Sequence, residues 1–184
     1  KELQVVRGDL DARLKQLEEK LNEATNIPES KTELFAEADR QYKAKKYKSV
    51  AYYPGCALEG TRDGYDVSTH AIAKKLDLKL KDVTNWNCCG AMEVKNVDPK
   101  IQTYLSARVL SQAVNEDGMD VVMAPCNGCY HNLKKAEYDL SHDQKSIDVV
   151  DKLSSKAGHT TYKAGQAETI HALDWLKATI GEEG

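Results

Sequence analysis

Apolar residues recur every three or four positions at the start of the chain, at Leu3, Val6, Leu10, Leu14, Leu17 and Leu21, with Arg, Asp, Lys and Glu between them. That period predicts an amphipathic helix. Asn26-Ile27-Pro28 ends it, and Ser30 to Thr32 can cap a second helix that runs to about Lys46. The expectation is a helical extension over residues 1–46, a hairpin more polar than the rest of the chain. Its apolar stripe suits packing on its own domain or on a partner protein. Six positions are too few to specify a coiled coil.

From Lys48 the pattern changes. Ser49-Val50-Ala51-Tyr52-Tyr53 reads as a short strand ended by Pro54-Gly55. Asp66 to Leu78 reads as an amphipathic helix with Val67, Ala71, Ile72 and Leu76 inward. Leu80 to Trp86 contains a second strand. Pro99 sits at a favoured first helical position and opens a helix carrying Ile101, Leu105, Leu110 and Ala113, which Asp117-Gly118 closes. Asp120 to Ala124 is apolar enough for a strand buried on both faces. The next element is a helix over about Gly128 to Tyr138. Asp143 to Gly158 is polar and gives a weaker signal, Thr160-Thr161-Tyr162 suits a short strand, and Glu168 to Ile180 suits a last amphipathic helix. Strands alternating with helices predict an α/β fold: Rossmann-like, three-layered βαβ units on a mostly parallel sheet, occupying residues 47–184.

Composition narrows the class. The 184 residues are 41% hydrophobic and 30% charged, with a net charge of −3, which suits a globular chain with no general attraction to nucleic acid or anionic membrane. The basic run KAKKYK, Lys43 to Lys48, reads as a solvated helix end or a docking patch. No apolar run reaches the roughly 18 residues of a membrane span, and no signal peptide is visible. Five cysteines, an odd count, disfavour a complete disulfide framework, and a reducing cytoplasmic compartment is the default expectation.

All five cysteines lie between Cys56 and Cys129. The predicted elements put Cys56 just after the first strand, Cys88 and Cys89 after the second, and Cys126 and Cys129 after the third. In open α/β sheets sites form outside the carboxyl ends of the strands, so five sulfurs from distant segments converge there. Cys88 and Cys89 are neighbours, and adjacent cysteines suit neither a mutual disulfide nor two ligands on one tetrahedral ion. They need two partners, or a centre with more than one metal atom. Cys126 and Cys129 form a CxxC at a helix start, where the helix dipole and free N–H groups favour thiolate. Gly55, Gly90 and Gly128 each adjoin a cysteine, and serve as turn glycines or let the backbone approach a bulky cofactor. Five thiolates on an iron–sulfur cluster fit the set best. Zinc on four of them, or a metal-free thiol–disulfide site, are the alternatives.

These residues carry a family resemblance. Thirty-one residues separate Cys56 from Cys88 and 36 separate Cys89 from Cys126; YYPGCALEGT, NWNCCGA and APCNGCYHNL surround the cysteines, and ETIHALDWL comes after them. Over about Lys48 to Ile180 the chain resembles the cysteine-rich CCG domain of the heterodisulfide reductase B subunit and its relatives. The resemblance implies a non-cubane 4Fe-4S cluster held by Cys56, Cys88, Cys89, Cys126 and Cys129. It also implies an oxidoreductase subunit that passes electrons to or from a disulfide or thiol substrate. Implied partners are a ferredoxin-like iron–sulfur protein (the C subunit of such complexes), a flavoprotein and a second CCG domain. Related domains in succinate- and glycolate-type dehydrogenase complexes, some taken to bind zinc, give the alternative of a zinc-stabilised scaffold. The chain departs from the B subunit in having one CCG motif rather than two, and in its added N-terminal helices.

His131, two residues after Cys129, reads as a surface histidine or as a proton donor at the site. His70 reads as a packing or surface residue, and Tyr53 and Trp86 as packing around the cysteines. His142, His159 and His171 receive no role.

Overall fold

The computed structural model describes residues 47–91 and 93–180, with Lys15 alone from the N-terminal segment. The chain divides into two units, Lys1–Ala44 and Lys45–Gly184. The helical hairpin expected over residues 1–46 lies outside the described residues.

The second unit is an α/β fold around a four-stranded, wholly parallel sheet in the order β2-β1-β3-β4. Strand β1 is Ser49–Tyr52, β2 Lys79–Asp82, β3 Val121–Ala124 and β4 Glu168–His171. Helices α1 Gly55–Gly60 and α2 Asp63–Lys75 link β1 to β2. Helices α3 Glu93–Val97 and α4 Pro99–Asn115 link β2 to β3. Helices α5 Asn127–His142 and α6 Gln144–Ala157 precede β4, and α7 Ala172–Ile180 comes after it. The Rossmann-like architecture read from the sequence is therefore the observed one. Because β1 connects to β2 on one side while β2 connects past it to β3 on the other, the topological switch point lies between β1 and β3.

Central strands are apolar because both faces are covered: Val50, Ala51, Val122 and Met123 are fully buried. Strand β2 is one of the two edges, and its Lys79 and Lys81 are exposed, as suits a strand that must not pair with another chain. Helix α4 packs on α5 and α6. Asp98 caps α4 by accepting from Lys100 N, with Pro99 next to it at the first helical position. At the other end of the unit, Trp175 of α7 donates its indole N–H to Tyr47 O, which ties the last helix to the segment entering β1. Among the described residues no helix is long and apolar enough to cross a membrane.

Four details of the expected elements change. Helix α2 turns a different face inward: Thr69 and Ala73 are buried, whereas Val67, Ala71, Ile72 and Leu76 are exposed. The buried Tyr52 hydroxyl needs a partner and finds it in Asp66 Oδ1 at 2.6 Å, which draws the polar Asp66–Thr69 side of the helix toward the sheet. Glu168 to Ile180 is not one helix. Its first four residues pair with β3 as β4, and the β-branched Thr169 and Ile170 suit that place. Thr160–Tyr162 is irregular rather than a strand, held by Ser111 Oγ donating to Thr160 O. The polar stretch after His142 is helix α6. Asp143 caps it by accepting from Lys145 N, and Gly158, left-handed at φ 69°, ends it.

Candidate functional site

The structure brings the five cysteines to the carboxyl ends of β1, β2 and β3, beside the switch point. Cys56 lies in α1, immediately beyond β1. Cys88 and Cys89 lie in the irregular loop after β2. Cys126 is the N-cap of α5 and Cys129 sits in its first turn.

The neighbours Cys88 and Cys89 face different partners. Cys88 Sγ is 3.9 Å from Cys56 Sγ, and this pair is exposed. Cys89 Sγ is 3.6 Å from Cys129 Sγ, and this pair is buried. Cys126, half-buried, adjoins Cys129 and perturbs its thiol. The sulfurs thus form a chain of neighbours, open to solvent at the Cys56/Cys88 end. Among the described residues, no three His, Cys, Asp or Glu side chains gather as a site for one metal ion.

Backbone conformation makes this possible. Gly55 is left-handed at φ 69°, and a Cβ there would stand 2.7 Å from Cys129 Sγ. Gly90, at φ 76°, lets the loop lie against α4, where a Cβ would meet Leu105 Cδ1 at 3.2 Å. The buried Cys89 carbonyl accepts from Ser106 Oγ at 3.1 Å, and Ser106 accepts from Gln102 Nε2 at 3.0 Å.

Electrostatics within the group are uneven. The hydrogen bond from Cys129 and the amide of buried Asn132, 3.5 Å away, outweigh the cost of burial and bring the Cys89 thiol down to about 6. Cys129 is pushed far above the usual thiol range because its proton is held by Cys89, with burial and the charges of Cys89 and Cys126 adding to that. Burial, then Cys88, raises Cys56. Gly90 N lies 3.5 Å from Cys88 Sγ and donates to it. Within the group Cys89 is thus the sulfur biased toward thiolate, with the Asn132 amide donating to it.

Tyr53 does more than pack. It stands edge-on to Trp86, its hydroxyl donates to Asn87 O at 2.8 Å, and burial followed by the charges of Cys89, Cys129, Cys88 and Cys56 holds it protonated. His131 is exposed, whereas Asn132 faces the sulfurs. At about 100° per helical residue, position i+2 from Cys129 points away and i+3 returns to the same face. That spacing is the signal by which Asn132 is recognisable in the sequence. His70 lies away from the sulfurs, 3.9 Å from both Asp66 and Asp82. His171 is buried, with Nε2 3.0 Å from Pro125 O and Nδ1 accepting from Leu173 N, so it braces the strand end next to Cys126.

The donor set fits an iron–sulfur group: five thiols, N–H donors to sulfur, and a glycine cradle that a Cβ would fill. It fits a single tetrahedral ion less well, because the adjacent Cys88 and Cys89 turn their sulfurs to different partners and, among the described residues, no three such side chains gather for one ion.

Residues 50–134 match the family described as CCG, cysteine-rich domain. The chain is 32% identical over 137 residues to the 8-methylmenaquinol:fumarate reductase membrane anchor subunit of Wolinella succinogenes, covering 74% of this chain and 45% of that protein. It is 28% identical over 137 residues to the B subunit of the ferredoxin/F(420)H(2)-dependent CoB-CoM heterodisulfide reductase of Methanosarcina acetivorans, covering 73% and 44% respectively. The chain thus spans under half the length of the curated relatives it matches. A crystal structure of a hypothetical protein from Helicobacter pylori shares the fold, with a TM-score of 0.59 at 18% identity, over 71% of this chain and 25% of that one. Sulfur spacing, fold and relatives converge: residues 50–134 match the CCG cysteine-rich domain family, and proteins named as heterodisulfide reductase B subunits are among the relatives.

Proposed function

We propose that residues 47–184 are the cluster-bearing domain of an iron–sulfur oxidoreductase subunit of the heterodisulfide reductase type, and residues 1–46 an N-terminal extension of it. The observation that carries the reading is the divergence of Cys88 and Cys89. Adjacent in sequence, they meet Cys56 and Cys129 separately. That arrangement suits ligands to different metal atoms of one centre. In this reading Cys56, Cys88, Cys89, Cys126 and Cys129 hold a 4Fe-4S cluster, of the non-cubane type that the family resemblance implies. When bound, such a cluster supplies one-electron transfer.

The chain's own residues divide the remaining work. Asn132 and Gly90 N–H place donors at sulfur, which favours the anionic form and tunes the centre. Tyr53, buried and protonated, closes the inner side. The exposed Cys56/Cys88 end is where a disulfide or thiol substrate has access. Cleaving a disulfide takes two electrons, so one such domain suits a relay, or half of a site completed by a second CCG domain. A ferredoxin-like iron–sulfur protein and a flavoprotein are the electron partners this predicts, in a cytoplasmic complex.

The test is anaerobic reconstitution with iron and sulfide, followed by substitution of each cysteine with serine. The reading expects a brown protein reducible by one electron, and loss of iron in each of the five variants. A colourless protein that takes up zinc and no sulfide would instead support the scaffold reading, in which four of the cysteines hold zinc.

A further inference from the structure

The loop from Asn85 to Gly90 contains no helix or strand, yet it has to aim two adjacent cysteines apart. Helix α4 holds it from one side through a ladder of polar contacts. Ser106 donates to the Cys89 carbonyl, and Leu105 O accepts from Asn87 Nδ2 at 3.0 Å, the same amide that donates to Cys88 O at 2.9 Å. One turn on, Arg108 makes the densest set. Its Nη1 donates to Asn85 O at 3.2 Å, to Asn87 Oδ1, and to Gln112 Oε1 at 3.2 Å. Its Nε lies 3.2 Å from His159 Nδ1. Gln112, buried, donates to the same Asn85 carbonyl. Asn85 has a left-handed backbone at φ 50°, a conformation that asparagine tolerates better than most residues other than glycine.

We propose that Arg108 is a positioning residue for the cysteine site. By grasping Asn85 O and Asn87 Oδ1 with one guanidinium, it fixes the left-handed bend from which Cys88 leaves toward Cys56 and Cys89 toward Cys129. The planar, multiply donating head of arginine suits this, and a lysine ammonium cannot reproduce its geometry. Arg108 is not a ligand, and its action on the site passes through the loop. The functional end of the inference rests on the cluster reading above; the structural end does not.

The test compares wild type with Arg108→Met and Arg108→Lys in the full chain. The first readout is amide hydrogen exchange of the reduced, metal-free protein. Arg108→Met is expected to speed exchange in residues 84–91 about tenfold, as for loss of a charge-assisted hydrogen bond, with β3 and α5 unchanged and Arg108→Lys intermediate. The second readout is the rate at which a chelator removes iron from anaerobically loaded protein, expected to rise several-fold in Arg108→Met. Unchanged loop exchange, or unchanged iron loss from a loaded protein, would overturn the proposal. If Arg108→Met does not fold, Arg108→Lys, which keeps the charge and the stem but not the planar fork, decides by the same readouts. If wild type takes up neither iron nor sulfide, the cluster reading falls, and loop exchange alone decides on Arg108.

Discussion

A Cβ placed on Gly55 would stand 2.7 Å from the Sγ of Cys129, a residue 74 positions later in the chain. The first strand's exit and the start of α5 are therefore in direct contact through a missing side chain. Gly55→Ala should destabilise the fold by about 1–3 kcal/mol, from left-handed strain and displacement of the sulfur together. Gly64→Ala is the control, because nothing lies within 4 Å of the added atom. Its helical position predicts a change of no more than about 1 kcal/mol, in the stabilising direction. Urea denaturation of the metal-free proteins measures both, and iron uptake should fall in the first alone.

Cys89 gives a pH signature to the metal-free protein. Its thiol is held down to about 6, first by Cys129 and then, against burial, by Asn132. Thiolate absorbance should therefore appear as pH rises through about 6, well below the ordinary thiol range. Asn132→Leu removes one donor and should move that midpoint upward. Cys129→Ala removes the larger one and should move it further. A midpoint near the free-thiol value in wild type would contradict this.

Asp117 anchors the loop leaving β2 to the turn that leads into β3. Its carboxylate accepts from Thr84 N at 2.8 Å and Thr84 Oγ1 at 2.6 Å, with Lys81 Nζ 3.4 Å away. Burial pushes its carboxyl up, but the Thr84 bonds and Lys81 together hold it below the usual range. A depressed carboxyl contributes stability fully above its unfolded value of about 3.9 and loses it as pH falls through the folded one. Asp117→Asn should cost about 1.5–3 kcal/mol at neutral pH. The gap between variant and wild type should close below about pH 4, which stability measured across about pH 3 to 7 would record.

The placement of the cysteines was legible because each group comes after a strand with its own signature: SVAYY, then the run into NWNCC, then DVVMA. Parallel pairing brings those strand ends together whatever the details of the helices. Helix α2 was legible as an element but not in its orientation, since the Tyr52 hydroxyl decides which face turns inward, and that partner is far away in sequence from most of the helix. The run ETIH shows a different limit. It continues smoothly into the apolar spacing of α7, and only pairing with Val121–Ala124 makes it a strand. Local pattern cannot report a ladder formed with a distant segment.

Within the site, the ligand-type residues announced themselves by chemistry, while the residues that hold them did not. Ser106, Arg108 and Gln112 look like the polar face of an ordinary helix. Their role comes from a loop with no secondary structure of its own, whose carbonyls need partners. Asn132 was within reach of spacing arguments, and His131, the more eye-catching neighbour, faces solvent.

Whether the five cysteines serve one multi-iron centre is a question of stoichiometry. It is answered most directly by iron, acid-labile sulfide and zinc per chain in protein purified without oxygen. A shared centre predicts about four irons and about four sulfides with little zinc. About one zinc per chain with no sulfide would contradict it.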